Sequence, residues 1–261
     1  MLELNNFSID SLDLLTKEEC DRVHSIIQDL ENIWVLRHPV IPFYTLGAAH
    51  YFDIPDNPES PNYYYELAKK YNSILQLHLG WLYERLANKL VQHLKAPVNY
   101  RENLGLPGFH IFMSHPALED PKDLTHQQWY TYRYNQPKVV GNAIHCDTSH
   151  MLVNWGTKEK DIDFSKVMSF TLAIVLPKSG GGLYVWDLQR DKTIGIKSGE
   201  LLKLLNSRDK TLYSYKPGNF ILHSGQNYHQ IAPMPNMLPN DSRITLQGHG
   251  LFHEGKWQLF W

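Results

Sequence analysis

A histidine followed two positions later by a carboxylate can place two metal-ligating groups side by side, and this chain has one such pair, His145 and Asp147. The residues before the pair, Val139 to His145, are β-prone, and side chains alternate faces along a strand. His145 and Asp147 then point the same way and Cys146 the other, so one cation can share both. Spacing alone is weak support, because a chain with 14 His and 27 acidic residues yields about one such pair by chance. A hard-to-borderline ion such as iron(II), held on one face by two imidazoles and one carboxylate, keeps three positions open for exogenous ligands. A second histidine is therefore needed downstream, and the residues leave His150, His223, His229, His249 and His253 as candidates.

The elements that must position these groups change character along the chain. Thr16 and Glu19 form a capping-box pattern, and Cys20, Val23, Ile26, Ile27 and Leu30 follow at helical spacing, which predicts an amphipathic helix over 17–30. Leu75, Leu79, Leu82, Leu86 and Leu90 give a second helix, within 61–94, one apolar stripe that must pack on something else. Beyond Pro97 the texture turns to short β-prone segments broken by Gly, Pro and Asn. They are Gly108 to Met113, Val139 to His145, Val167 to Leu176, Leu183 to Trp186, Thr211 to Tyr215, Asn219 to His223 and Arg243 to Phe252. About eight to ten strands without a repeat suggest a two-sheet barrel or jelly roll buttressed by the N-terminal helices. The expectation is one domain over 1–261, with 1–97 as the helical buttress and 98–261 as the mainly β core. Polar stretches at 114–128 and 150–166 read as long loops of the kind that bind or cover a site.

Composition narrows the function classes. With 25 basic and 27 acidic side chains, the formal charge of −2 offers no electrostatic footprint for nucleic acid or an anionic membrane. Two cysteines, Cys20 and Cys146, make neither a disulfide scaffold nor a zinc ribbon. No 18-residue apolar run occurs, and Met1 to Leu15 lacks the basic start and unbroken apolar core of an export signal. These features lead us to expect a soluble cytoplasmic protein. The aromatic group Trp129, Tyr130, Tyr132 and Tyr134 is expected to pack rather than to line a site, and the closing Trp257 to Trp261 segment to belong to the core.

The stretch from Pro217 to Pro233 resembles the segment of iron(II)- and 2-oxoglutarate-dependent oxygenases, especially their prolyl-hydroxylase-like branch, in which a Pro-Gly strand and a short turn precede the distal histidine. That resemblance selects His229 over His223. The family then places an arginine some ten to fifteen residues further on, with Ser or Thr two positions later, and here Arg243 stands fourteen residues beyond His229 with Thr245 two positions after it. Between the His145–Asp147 pair and this stretch lies an apolar strand, a turn and Gly180-Gly181-Gly182-Leu183, another recurring family feature. The similarity covers roughly residues 101–252, and the first hundred residues carry no family motif.

The resemblance implies a double-stranded β-helix core, a jelly roll of the cupin-like kind. It implies Fe(2+) held by His145, Asp147 and His229, and 2-oxoglutarate anchored through its far carboxylate by Arg243, whose rigid fork suits a carboxylate, with help from Thr245. No catalytic side chain beyond the metal ligands is implied. The shared reaction consumes dioxygen and 2-oxoglutarate, releases succinate and carbon dioxide, and breaks a C–H bond of the substrate. Hydroxylation of an amino acid or specialised metabolite is the favoured outcome. Desaturation, cyclisation and a peptide or protein side-chain substrate remain alternatives, with a non-catalytic metal-binding cupin-like protein as the reading of another class. Oligomeric state, the carbon attacked and the stereochemistry are not specified by these residues.

Overall fold

The computed structural model describes residues 9–38, 41–55, 59–60, 62–115, 144–157, 162–235 and 237–261. Most of Val139 to His145, and the aromatic group Trp129, Tyr130, Tyr132 and Tyr134, lie outside the described residues. In chain order the elements are β1 (Asp10–Asp13), α1 (Lys17–Asp29), β2 (Val35–Leu36), β3 (Phe43–Leu46), α2 (His50–Asp53), α3 (Tyr63–Leu94), β4 (Val98–Tyr100), β5 (Gly108–Met113), β6 (Val167–Val175), β7 (Leu183–Gln189), α4 (Ser198–Asn206), β8 (Lys210–Tyr213), β9 (Asn219–Ser224), β10 (Asn227–Ile231), β11 (Ser242–His253) and β12 (Lys256–Phe260). Among the described residues no helix is long and apolar enough to cross a membrane.

The chain is mainly β. One sheet has nine strands in the order β1-β9-β6-β11-β5-β3-β2, with β12 pairing both β11 and β4; a second has three, β10-β7-β8. Every pairing is antiparallel except β12 with β4. Strand β6 is buried along nearly its whole length, which fits its continuous apolar run at the centre of the large sheet. The two helices expected from periodicity are present. Thr16 caps α1 in a full capping box with Glu19, and Leu75, Leu79, Leu82, Leu86 and Leu90 on α3 are buried.

The first hundred residues also supply strands. β1 extends the large sheet along β9, and β3 lies against β5. These strands are short and partly polar, so no two-residue alternation announces them. Helix α4, with Leu201, Leu204 and Leu205, is a further element absent from the expectation.

Helix α3 fixes where β5 begins. Tyr83 Oη donates to the Pro107 carbonyl at 2.7 Å, and Asn72 bonds both the Leu104 carbonyl and the Leu106 amide. The C-terminal Trp261 is fully buried beside this joint, and Tyr64 Oη donates to its backbone oxygen at 2.6 Å. The closing segment is therefore core, as expected for an aromatic-rich end. The indole abuts Gly108, where a Cβ would come within 2.0 Å of the ring and 2.8 Å of the Leu46 carbonyl. Overpacking of this kind costs about 1–3 kcal/mol, and in a domain of this size each kcal/mol lowers Tm by about 2–4 °C. We expect Gly108→Ala to melt several degrees below the wild type by differential scanning calorimetry; an unchanged Tm would show that the indole moves aside freely.

Candidate metal centre

Strand register lays the inward-facing side chains out in rows. On β11 the in-phase residues are Arg243, Thr245, Gln247 and His249, alternating as a pleated strand requires. Across the sheet, His249 stands opposite Ser169, which in turn stands opposite His223. Two residues along, Gln247 faces Thr171; the next row sets Thr245 against His110, and the last sets Arg243 against Phe112 and Phe43. The imidazole-rich row and the guanidinium row thus mark opposite ends of one inner face. A cavity of about 220 Å³ spans them, with His145, Asp147, His229, Gln247, His249 and Arg243 among its walls.

His145 and His229 belong to an isolated antiparallel bridge, His145 N to His229 O at 3.0 Å and His229 N to His145 O at 2.8 Å. Backbone pairing therefore brings the two imidazoles together, with ring centroids 4.3 Å apart. Two residues on, the Asp147 amide donates to the Gly225 carbonyl at 2.8 Å, which holds its side chain on the same side as His145. Cys146 packs on the other side, near Trp186, Leu188 and Leu205. Asp147 Oδ1 lies 3.9 Å from His145 Nε2, and Oδ2 lies 3.6 Å from His229 Nε2. One ligand atom from each of the three residues falls within 4.8 Å of the others, the one such group among the described residues.

Two ligand atoms bound to one ion at about 2.1 Å each lie no more than about 4.2 Å apart, so both separations suit a shared cation with little rearrangement. The protonation states suit it too. Burial pushes the His229 imidazole down to about 3. Burial alone would raise the Asp147 carboxyl, but His229, His249, His145 and His223 around it outweigh that effect and hold it well below the usual carboxylate range. At neutral pH the cluster therefore offers an ionised carboxylate beside a neutral imidazole. His229 Nδ1 donates to the Asn227 carbonyl at 2.9 Å, which fixes the tautomer and leaves Nε2 as the ligating atom.

Arg243 is wholly buried. Its Nε donates to the Gly181 carbonyl at 2.8 Å and Nη1 to Thr245 Oγ1 at 3.2 Å, while Nη2 has no hydrogen-bond partner. The rings of Tyr215 and Phe112 flank the guanidinium with their centroids 5.6 and 5.9 Å away. Burial lowers its pKa, although an arginine remains charged in any protein setting. The triple glycine thus does more than turn the chain. Gly181 takes a positive φ of 75° and turns its carbonyl to the arginine, and a Cβ there would press on Arg243 Cδ at 3.3 Å. Thr245 is fully buried, accepts from Arg243 and from Gln247 Nε2, and is not part of the cavity wall. In this structure it braces the guanidinium.

Of the other downstream histidines, His223 and His249 also line the cavity. His223 Nδ1 donates to the Ser224 carbonyl at 2.9 Å, and its ring lies against His229 at 4.8 Å. Burial lowers both imidazoles. His150 packs near Phe164, and burial pushes it down to about 4. Sequence reasoning missed Ser169, Tyr51 and His110, the last two joined by a 2.7 Å hydrogen bond in the cavity wall. Ser169 becomes visible once strand register sets it opposite His249; Tyr51 and His110 carry no motif signal.

No protein-family model matches the chain, and a search of curated proteins finds no match. Solved structures do match. An N-substituted L-amino acid dioxygenase from Burkholderia ambifaria AMMD aligns with TM-score 0.55 at 15% identity, covering 97% of this chain and 85% of that one. Its complex with α-ketoglutarate aligns with the same TM-score, identity and coverage. A Pseudomonas putida prolyl-4-hydroxylase aligns at TM-score 0.39 and 10% identity, covering 97% of this chain and 96% of that one, a fit too loose to support a particular branch. The likeness to the Burkholderia dioxygenase is one of fold.

Proposed function

We propose that this chain is an iron(II)- and 2-oxoglutarate-dependent oxygenase that hydroxylates an unactivated C–H bond of a small molecule. The observation that carries the reading is Arg243. A wholly buried guanidinium with an unpartnered Nη2 shares a cavity with the His-Asp-His cluster. A buried charge left without a counter-charge is costly, and a dicarboxylate whose other end reaches the metal would supply one. The donor set, two imidazoles and one carboxylate within reach of one ion, fits iron(II). Within this reading the two sheets form the double-stranded β-helix.

In this proposal His145, Asp147 and His229 hold the ion, and Arg243, braced by Gly181 and Thr245, binds the far carboxylate of 2-oxoglutarate. The bound iron supplies an oxidant from dioxygen and 2-oxoglutarate, and overall R–H, 2-oxoglutarate and O2 give R–OH, succinate and CO2. The protein's own part is orientation and exclusion of water. Phe43, Phe52, Phe112, Leu183 and Ile231 give the cavity a dry wall, and its size suits a small substrate. The fold shared with an N-substituted L-amino acid dioxygenase makes amino acids and their derivatives the first class to test, ahead of other metabolites. Asp147 fills the coordination position that a halide would need, so oxygen insertion is expected and halogenation is not.

The test is an anaerobic titration of the protein with iron(II) and then 2-oxoglutarate by calorimetry, followed by a screen for succinate release with amino acids, other metabolites and peptides. We expect one equivalent of each to bind, and succinate to rise with a metabolite. Iron without 2-oxoglutarate binding would leave a metal-binding protein with no oxygenase role. Turnover with peptides alone would move the substrate to protein side chains.

A further inference from the structure

We infer that Ser169 and His249 form a hydrogen-bonded relay to Asp147 that fixes the orientation of its carboxylate at the metal position, and that both are positioning residues of this centre. The inference rests on the metal centre proposed above. Ser169 lies at the middle of the imidazole row, opposite His249 on β11 and His223 on β9. It is only 5% exposed, so its hydroxyl has little access to water and must find its partners in the protein. It finds two: Oγ donates to Asp147 Oδ2 in a very short contact, and Oγ and His249 Nδ1 are 3.1 Å apart.

The order of donation follows from counting protons. A serine hydroxyl has one hydrogen, and an ionised carboxylate only accepts. The Ser169 proton therefore goes to Asp147, and the bond to His249 must run from Nδ1–H to Oγ. That sets the His249 tautomer and makes a chain from His249 Nδ1–H through Ser169 Oγ–H to Asp147 Oδ2. Oδ2, held in this way, lies 3.6 Å from His229 Nε2, and Oδ1 lies 3.9 Å from His145 Nε2, so the relay keeps the carboxylate turned toward both imidazoles. His249 Nδ1 also lies 3.9 Å from Asp147 Oδ2, too far for a direct bond, so its hold on the carboxylate passes through Ser169. The backbone fits the relay closely: a Cβ on Gly225 would meet Ser169 Oγ at 3.2 Å and Asp147 Cβ at 3.5 Å.

The test is calorimetric titration of the protein, free of 2-oxoglutarate, with cobalt(II), together with the visible spectrum of the cobalt-loaded form, which reports coordination number and carboxylate mode. Outer partners of metal ligands are worth roughly 10–100-fold in metal affinity, and we expect Ser169→Ala to lose that much and to shift the cobalt bands. Ser169→Thr keeps the hydroxyl and should stay within a few-fold of the wild type, a rescue that a packing role alone would not require. Ser169→Cys, close in size but a weak donor, reads the same loss should the alanine variant not fold. His249→Gln should weaken cobalt binding less than Ser169→Ala, and the double variant should fall short of the sum of the two, as members of one network do. A wild type that takes up no cobalt sinks the metal centre itself. Cobalt binding by the wild type with equal affinity and an unchanged spectrum in Ser169→Ala overturns the relay alone. A His249→Gln variant that loses as much as Asp147→Ala would make His249 a ligand and also overturn it.

Discussion

Asp147→Ala and His229→Ala are expected to abolish stoichiometric iron(II) binding while the fold persists, and His223→Ala is expected to keep it. The two imidazoles of the distal segment are near neighbours, with ring centroids 4.8 Å apart, so the contrast decides between them. His229 presents Nε2 to Asp147 at 3.6 Å with Nδ1 committed to the Asn227 carbonyl; His223 stands outside the group of three ligand atoms. Loss of an outer partner costs roughly 10–100-fold in affinity, and loss of a direct ligand should exceed that. Asp147 carries the further penalty that its removal takes away the one anionic ligand facing a dication. Metal content after anaerobic loading and desalting, read by elemental analysis beside a melting curve, checks the prediction. A His223→Ala protein that comes through empty while His229→Ala retains iron would mean that the distal ligand has been misplaced by six residues.

The parts of this arrangement that sequence made legible are those whose signal is local. The Leu75 to Leu90 stripe needs only helical geometry, and β5 and β6 match their expected ranges closely because apolar β-prone runs between Gly and Pro breakers admit few other readings. β10 is different. Asn227, Tyr228, His229 and Gln230 have no strand alternation, and they become a strand because β7 and the His145 bridge supply hydrogen-bond partners. The element that carries the distal histidine is thus specified by tertiary pairing, and only the family resemblance singled out that histidine beforehand.

The same division runs through the site. His145 and Asp147 are two apart in sequence, close enough for a local pattern to offer them as a pair; Ser169 and His249 are eighty residues apart and meet through the register of β6 on β11. Thr245 was expected to contact the co-substrate directly. In the structure its hydroxyl accepts from Arg243, which gives it a bracing role that the same two-residue spacing equally allows. Gly181 reads as a turn glycine from sequence, and its carbonyl's contact with Arg243 emerges only when the turn after β6 folds back under β11.

Replacing Arg243 should separate the two ligands of the proposed enzyme: iron(II) binding persists and 2-oxoglutarate binding collapses. Truncating one partner of a buried, hydrogen-bonded charge pair costs about 2–5 kcal/mol, which corresponds to roughly thirty-fold to a few thousand-fold in Kd. Arg243→Lys should recover little, because an ammonium lacks the planar fork and would leave the Gly181 carbonyl without its 2.8 Å donor. Stability should move the other way. Without 2-oxoglutarate the wild type buries a guanidinium whose Nη2 has no partner, and replacing an uncompensated buried charge with an apolar side chain of similar length is often neutral or stabilising. Arg243→Met should therefore melt no lower than the ligand-free wild type. A ligand at a hundred times its Kd adds about 2.7 kcal/mol to the folded state, so saturating 2-oxoglutarate with metal present should raise the wild-type Tm by roughly 5–10 °C and leave Arg243→Met where it was. Calorimetry on iron-loaded anaerobic protein measures both quantities. An Arg243→Met protein that binds 2-oxoglutarate as tightly as the wild type would remove Arg243 from the co-substrate site, and with it the observation on which the proposed function stands.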